Sequence, residues 1–199
     1  MSLIAKIFAV TLVNLDSWLI ISSVYPYTVH MTLEFTSLSS PSDAGYYSGL
    51  LGTAFYAGRV ISILVWSWLA DRYGRKPVIL TWLFSLCILL NIFGMSTSFT
   101  WAIITRFLIG VTNPLHKISR ICILEISTES STSFALGWFS NFAELGMAIG
   151  PIIGGVFAAY PSIPAFDKYP YWLPNLLLSW AVFITLIIFL LIYEETLEK

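Results

Sequence analysis

The sequence predicts an all-α, multi-pass membrane protein, and three observations support this fold class. Of the 199 residues, 57% are hydrophobic and only 11% are charged, whereas a soluble domain carries about 25% charged residues. The mean hydropathy is +0.82. A soluble chain of this size would leave about 30% of its unfolded surface in water, which is too much for so apolar a composition. The apolar stretches are continuous and lack the period-2 alternation of a membrane barrel, so helices are the remaining spanning structure.

A membrane helix needs about 20 mostly apolar residues, and the chain contains six candidate segments. We expect the fourth segment to continue past Pro114 to about Arg120, with a polar end. The first segment is longer than a signal-peptide core and contains Asp16, so we interpret it as a retained helix. The predicted spans cover about residues 7–29, 46–70, 78–95, 100–120, 134–159 and 171–193.

The basic residues of the predicted loops are divided unequally between the two sides of the membrane. One side has only Lys168. Because cytoplasmic loops are enriched in lysine and arginine, we expect the other side, and with it both chain termini, to be cytoplasmic. Outer loops are then expected at residues 30–45, 96–99 and 160–170, and nothing in the sequence indicates which membrane holds the protein. The basic residues of the predicted cytoplasmic side are Lys6, Arg72, Arg75, Lys76, Lys117, Arg120 and Lys199.

Several classes of function are excluded by composition. A net charge of −1 has no electrostatic footprint for nucleic acid. The 2 cysteines and 2 histidines show no metal-ligand spacing, and no nucleophile or phosphate-loop motif occurs. We therefore expect no metal, no cofactor and no enzymatic activity. Glu125 and Glu129 are interpreted as a solvated charge cluster with Lys117 and Arg120.

Four ionisable residues lie well inside the predicted spans: Asp16, Arg59, Arg106 and Glu144. Each costs roughly 2.5–3.5 kcal/mol near a helix centre, so they must face the bundle interior or a wet cavity. Burial favours the protonated form of a carboxyl group and a nearby arginine favours its ionised form, which is the chemistry of a proton- or ion-coupled transport path. The alternative is a fixed ion pair between helices, and Arg59 could also only pack. We expect Asp16 and Arg106 to face a central cavity and Glu144 to avoid lipid.

The turn between the second and third predicted spans carries a conspicuous motif, Ser67-Trp-Leu-Ala-Asp-Arg-Tyr-Gly-Arg-Lys-Pro77. Gly74 suits a left-handed or unhindered backbone position, and Pro77 suits the first turn of the third span. The Asp71 carboxylate can accept hydrogen bonds from Arg75 or from a neighbouring helix N-terminus. The motif residues taken as functional candidates are Asp71, Arg72, Gly74, Arg75 and Lys76.

The fifth predicted span contains a second motif, G-x-x-x-G-P-x-x-G-G, from Gly146 to Gly155. Gly146, Gly150 and Gly154 are four residues apart, so they lie on one helix face and permit close helix contact. Pro151 is expected to add a bend. A packing face explains the glycines alone, but not the whole motif.

These motifs together resemble those of the major facilitator superfamily. The turn motif is similar to its cytoplasmic-loop signature, with Ser67 where the family usually has glycine. Thr105-Arg-Phe-Leu-Ile-Gly110 is similar to its fourth-helix signature, and residues 146–155 resemble the fifth-helix signature of its antiporter branch. Residues 46–59 and the ending Glu195-Thr-Leu197 resemble the drug:proton antiporter-type group, and within it the zinc-induced-facilitator-like transporters.

The resemblance implies a six-helix N-terminal half, residues 1–199, of a twelve-helix transporter. It implies proton-coupled antiport of a small organic solute or metal chelate, with the lipid bilayer, that solute and a second six-helix half as partners. Asp71 would then meet a helix of the second half. Three alternatives stay open: a truncated product, a half that pairs with itself or with another half, and a non-transporting membrane scaffold or regulator.

Overall fold

The computed structural model describes residues 2–36, 41–113, 115–158 and 168–195. These residues form eight helices, and no strand occurs among them. The predicted all-α class is therefore confirmed. The helices are α1 (Leu3–Ser23), α2 (Tyr25–Thr36), α3 (Pro41–Tyr73), α4 (Arg75–Gly94), α5 (Phe99–Thr112), α6 (Leu115–Ile126), α7 (Thr132–Ala158) and α8 (Trp172–Ile192).

Five of these helices, α1, α3, α4, α7 and α8, are long and apolar enough to cross a membrane. The predicted fourth span is instead divided into α5, of 14 residues, and α6, of 12 residues, so the expected count of six spanning helices is not confirmed. A proline at 114 disfavours helical backbone at the preceding residue, and Asn113 has φ −92° and ψ 89°, outside the helical region. Pro114 itself, most of the predicted loop at 160–170, Thr196, Leu197 and Lys199 lie outside the described residues.

The first predicted span is also longer than expected and interrupted. Only Val24 separates α1 from α2, and α2 continues to Thr36, so much of the loop expected at residues 30–45 is helical. Pro26 has no backbone N–H to donate to the carbonyl group of Ser22. This missing hydrogen bond explains why the helix is interrupted near Val24.

Helix α1 lies at the centre of the bundle, and its most extensive contacts are with α7 and α8. Its polar side chains face these neighbours: Asn14 Nδ2 donates to the carbonyl oxygen of Phe139 at 2.8 Å, and Ser22 Oγ donates to that of Gly146 at 3.1 Å. Interhelical hydrogen bonds of this kind stabilise membrane bundles, where lipid removes the hydrophobic drive between helices. The other extensive pairs are α3 with α5 and α4 with α8.

The two ends of the bundle differ in the residues they assemble. The Gly74 end contains the start of α1, the turn between α3 and α4, and the end of α8. The Tyr171 end contains the end of α4 and the start of α8. There Trp172 Nε1 donates to Asn91 Oδ1 at 3.0 Å, and Asn91 Nδ2 donates to Ser179 Oγ at 2.9 Å.

Candidate functional site

Asp16 is buried in the core of the bundle, with 2% of its surface exposed. It lies on α1 within hydrogen-bonding reach of the Thr185 hydroxyl on α8. Its Oδ2 atom has no hydrogen-bond partner among the described residues. No ion pair in the described part of the chain includes Asp16. The ion pair with an arginine that the sequence allows is therefore not formed.

Arg106 is equally buried, with 3% exposed, but in different surroundings. Its guanidinium carbon lies 5.2 Å from the ring centre of Phe55 on α3 and 5.3 Å from that of Phe93 on α4. It borders a cavity of about 270 Å³ that includes Tyr25 and Ser48 in its lining, and Asp16 is not part of that lining. The structure thus buries both predicted charges without bringing them together.

Glu144 and Arg59 are less buried than Asp16 and Arg106. Arg59 is half-buried on α3, beside Tyr56. Glu144 is exposed on the surface of α7, where it borders a cavity of about 310 Å³ together with Trp18 and Arg120. This cavity is open to the surroundings of the described bundle. Whether water, protein or lipid fills it is not decided by the bundle, so the location of Glu144 away from lipid stays a prediction.

The turn motif forms a connected network at the Gly74 end. Gly74 has φ +103°, which confirms the left-handed backbone predicted there. Arg75 NH1 lies 3.2 Å from Asp71 Oδ1, as predicted, and donates to the carbonyl oxygen of Ala70 at 2.9 Å. Arg72 is exposed and lies over the ring of Trp68, 5.2 Å from its centre. The motif therefore ties α3 to the first turn of α4.

Two acids complete this network, and the sequence did not assign either to it. Glu125, at the end of α6, lies 3.0 Å from Arg75 NH2. It is exposed, as are Lys117 and Arg120, but its ion pair with Arg75 was not part of the solvated cluster that the sequence suggests. The Glu195 carboxylate accepts hydrogen bonds from the backbone N–H of Arg75 at 2.9 Å and of Lys76 at 3.0 Å. A carboxylate at a helix N-terminus satisfies unpaired N–H groups and complements the helix dipole. The sequence signal that could have assigned Glu195 to this network was its position: it follows directly after an apolar span, at the same predicted side as the basic turn.

An ion pair between Lys6 and Glu194 joins the start of α1 to the residues after α8 at the same end. The hydrogen bond from Lys6 holds the pKa of the exposed Glu194 carboxyl below its ordinary value. Lys6, Arg75 and Lys76 thus meet at one end of the bundle, as the predicted topology requires.

The glycines of the fifth-span motif pack directly against α1. A Cβ atom added to Gly146 would lie 2.7 Å from the carbonyl oxygen of Leu15, and one added to Gly150 would lie 2.8 Å from that of Leu19. At Gly154 the added atom would overlap the carbonyl group of Ser23. The predicted close helix contact is confirmed, with α1 as the partner.

Two further motif residues, Pro151 and Gly155, lie outside this row of contacts. Pro151 lies inside α7, and the bend expected of it stays a prediction. A Cβ atom at Gly155 would come no closer than 3.4 Å, to Pro26.

Long apolar helices packed through polar and glycine contacts define the class of protein: an integral, multi-pass, all-α membrane protein. The sequence pattern of the Major Facilitator Superfamily matches residues 7–198. The chain belongs to this superfamily.

The chain is also similar to named proteins. It is 36% identical over 191 residues to the protein Zinc Induced Facilitator-Like 1 of Arabidopsis thaliana, covering 92% of the chain and 40% of that protein. A probable peptide/nitrate transporter of the same plant is 40% identical over 176 residues, covering 84% and 36%. The multidrug transporter mfsB of Aspergillus fumigatus is 27% identical over 202 residues, covering 97% and 34%. The chain therefore spans less than half the length of these relatives.

Proposed function

We propose that the protein is one six-helix half of a proton-coupled antiporter that exports a small organic solute or a metal chelate. In this proposal residues 1–199 form the N-terminal half, both termini are cytoplasmic, and a second six-helix half closes the substrate cavity. The family match and the relatives named as transporters support the transport activity.

The observation that carries the coupling proposal is the isolation of Asp16. A carboxylate buried within a membrane bundle is costly to keep ionised without a cation beside it. Asp16 has only the Thr185 hydroxyl as its described polar partner, and Oδ2 is unpartnered. A small opening that admits water or a cation would favour release of its proton, and closure would favour uptake.

We assign the titrating role to Asp16, with Glu144 as a second acid on the path. Glu144 borders the open cavity beside Trp18 on α1, so it is accessible to water from the face that a second half would cover. Arg59 and Arg106 stay candidates for setting the charge balance of this path, through the surrounding field and not through a described contact with Asp16.

Proton flux in everted membrane vesicles tests the coupling. The vesicles, from bacteria that produce the chain, are acidified by respiration, and quinacrine fluorescence reports internal pH after ethidium or zinc citrate is added. We expect recovery of fluorescence for the native chain and none for Asp16→Asn. Asp43→Asn, an exposed acid in the first turn of α3, is the matched control and should behave as the native chain does.

Either of two results would contradict the proposal. One is recovery that is unchanged in Asp16→Asn, which removes Asp16 from the mechanism. The other is a native chain that crosslinks as a dimer in these membranes, so that a second half is present, but does not differ from vesicles lacking it for any added solute, which favours a scaffold or regulator. Chemical crosslinking in the same membranes tests self-pairing, since a chain found only as a monomer excludes a second copy as the other half.

A further inference from the structure

The cavity beside Arg106 lies at the junction of α1 and α2, against α3. It has a volume of about 270 Å³, slightly below the roughly 300–1,000 Å³ range of ligand pockets. It can therefore hold a small molecule or one end of a larger one. Its lining includes Tyr25, Thr28, Ser48, Gly49, Gly52 and Arg106.

The Arg106 guanidinium is a buried cation, and two of its three nitrogens have no acceptor in the described part of the chain. Its Nε and NH1 atoms have no hydrogen-bond partner, and no ion pair in the described part of the chain includes this residue. The titratable groups that act on it are phenols, those of Tyr27, Tyr25 and Tyr56, and not carboxylates. A buried charge without an ion-pair partner and with unsatisfied donors is strongly unfavourable, so this environment favours an anion that is not part of the described residues.

The aromatic neighbours position this cation but do not satisfy it. The rings of Phe55 and Phe93 both lie within 5.3 Å of the guanidinium carbon. Such contacts stabilise the charge and restrict the plane of the group, but a ring face supplies no oxygen for the remaining N–H donors. A planar guanidinium held in this way presents its donors in the fork that matches a carboxylate or phosphate group.

Three of the four α3 residues that line the cavity are glycines, and the fourth is Ser48. A Cβ atom added at Gly45, Gly49 or Gly52 would have no other atom within 4 Å. Elsewhere in the bundle, glycines such as Gly110 fill tight helix contacts, where an added Cβ would strike the backbone of Phe55. The glycines of the cavity therefore leave open space beside the cation and do not serve helix packing.

We propose that this cavity is an anion-binding site in which Arg106 binds an oxyanion, a carboxylate or phosphate group, beside the side chains of Tyr25 and Ser48. The site is separate from Asp16 and does not depend on proton coupling. Two sources share this chemistry: a soluble organic acid and the phosphate of an anionic lipid headgroup.

Equilibrium binding to the full chain in phosphatidylcholine nanodiscs tests the site, with radiolabelled benzoate as the probe for the soluble source. We expect saturable binding to the native chain, weakened at least tenfold in Arg106→Gln and partly retained in Arg106→Lys. Gly49→Leu should also abolish binding, because the new side chain occupies the cavity while Arg106 is kept. The matched control is Gly137→Leu, an exposed glycine on α7 with the same open space, which should bind as the native chain does.

Native mass spectrometry of the same variants after addition of phosphatidylglycerol tests the lipid source. If the headgroup is the ligand, phosphatidylglycerol should stay bound to the native chain, displace benzoate, and be lost from both Arg106→Gln and Gly49→Leu. The proposal is overturned if neither anion distinguishes the native chain from these two variants. If Arg106→Gln does not fold, Gly49→Leu against Gly137→Leu decides the question.

Discussion

The Arg75 guanidinium lies 3.0 Å from the Glu125 carboxylate, and this ion pair joins the first turn of α4 to the last turn of α6. The Arg75 side chain is only 10% exposed and that of Glu125 is 30% exposed. The pair thus lies at a boundary where three helices meet, since Asp71 at the end of α3 contacts the same arginine. It stabilises the arrangement of helices that the turn motif begins.

Glu125→Gln should destabilise the bundle. The Arg75 guanidinium stays largely buried, but a neutral amide replaces the carboxylate that accepts from it. We expect a loss of about 1–3 kcal/mol in the free energy of unfolding. Thermal unfolding in detergent measures the change, followed in a Cys87→Ala background by a thiol-reactive dye that reports exposure of the buried Cys122. Glu129→Gln removes an exposed acid nearby and should stay within about 0.5 kcal/mol of the native chain; equal effects of the two variants would refute the role of the pair.

Gly150→Ala should separate α7 from α1. The added methyl group would lie 2.8 Å from the Leu19 carbonyl oxygen and 3.0 Å from the Ser23 backbone nitrogen, so helices must move apart at a cost of about 1–3 kcal/mol. Gly137→Ala, where the methyl group meets open space, should be neutral or stabilising by up to about 1 kcal/mol. The same thermal assay compares them, and a Gly150→Ala protein as stable as Gly137→Ala would contradict this packing.

Gly74→Ala should be unfavourable for two separable reasons. The residue has φ 103° and ψ 162°, a conformation that costs other residues about 1–3 kcal/mol, and its added methyl group would strike the Glu195 carboxylate. In a Glu195→Ala background the collision is removed and the backbone strain stays. A double-mutant cycle measured by thermal unfolding should therefore show that Gly74→Ala lowers the free energy of unfolding less in that background, but still lowers it. If Gly74→Ala has no effect there, backbone strain at Gly74 is excluded.

The proposed orientation predicts which loops face the cytoplasm. In a chain whose native cysteines are replaced by alanine, a membrane-impermeant maleimide on intact cells should label Thr97→Cys, in the turn between α4 and α5, but not Ser130→Cys, between α6 and α7. Both positions are exposed, and permeabilised cells should show labelling at both. The reverse pattern would invert the topology that the lysine and arginine bias predicts.

Several features of the candidate site could be predicted because they depend on local chemistry. Gly74 ends α3 in the one conformation that favours glycine, and Asp71 reaches Arg75 one helical turn away. The row of Gly146, Gly150 and Gly154 follows from a spacing of four residues on one helix. These features can be predicted without knowing which helices are neighbours. The identity of the helix that packs against the glycine row cannot.

The remaining features depend on that knowledge. The acids that meet the turn motif, Glu125 and Glu195, come from distant parts of the chain, and the burial of Arg106 against Phe55 and Phe93 depends on how α5 packs with α3 and α4. Glu144 lies on α7 like the packed glycines, but it is exposed in a cavity beside Trp18 of α1 and is not packed in the contact.

The sequence by itself determined that this chain is a membrane protein, roughly where its five long apolar helices run, how the chain reverses at Gly74, and which superfamily it belongs to. Only the tertiary structure decided that Asp16 and Arg106 occupy separate surroundings and that α1 receives the glycine face of α7. The physical reason is that a membrane helix is apolar on nearly every side. Its composition therefore shows that it is buried in lipid or protein, but the face that meets another helix emerges only when the helices pack.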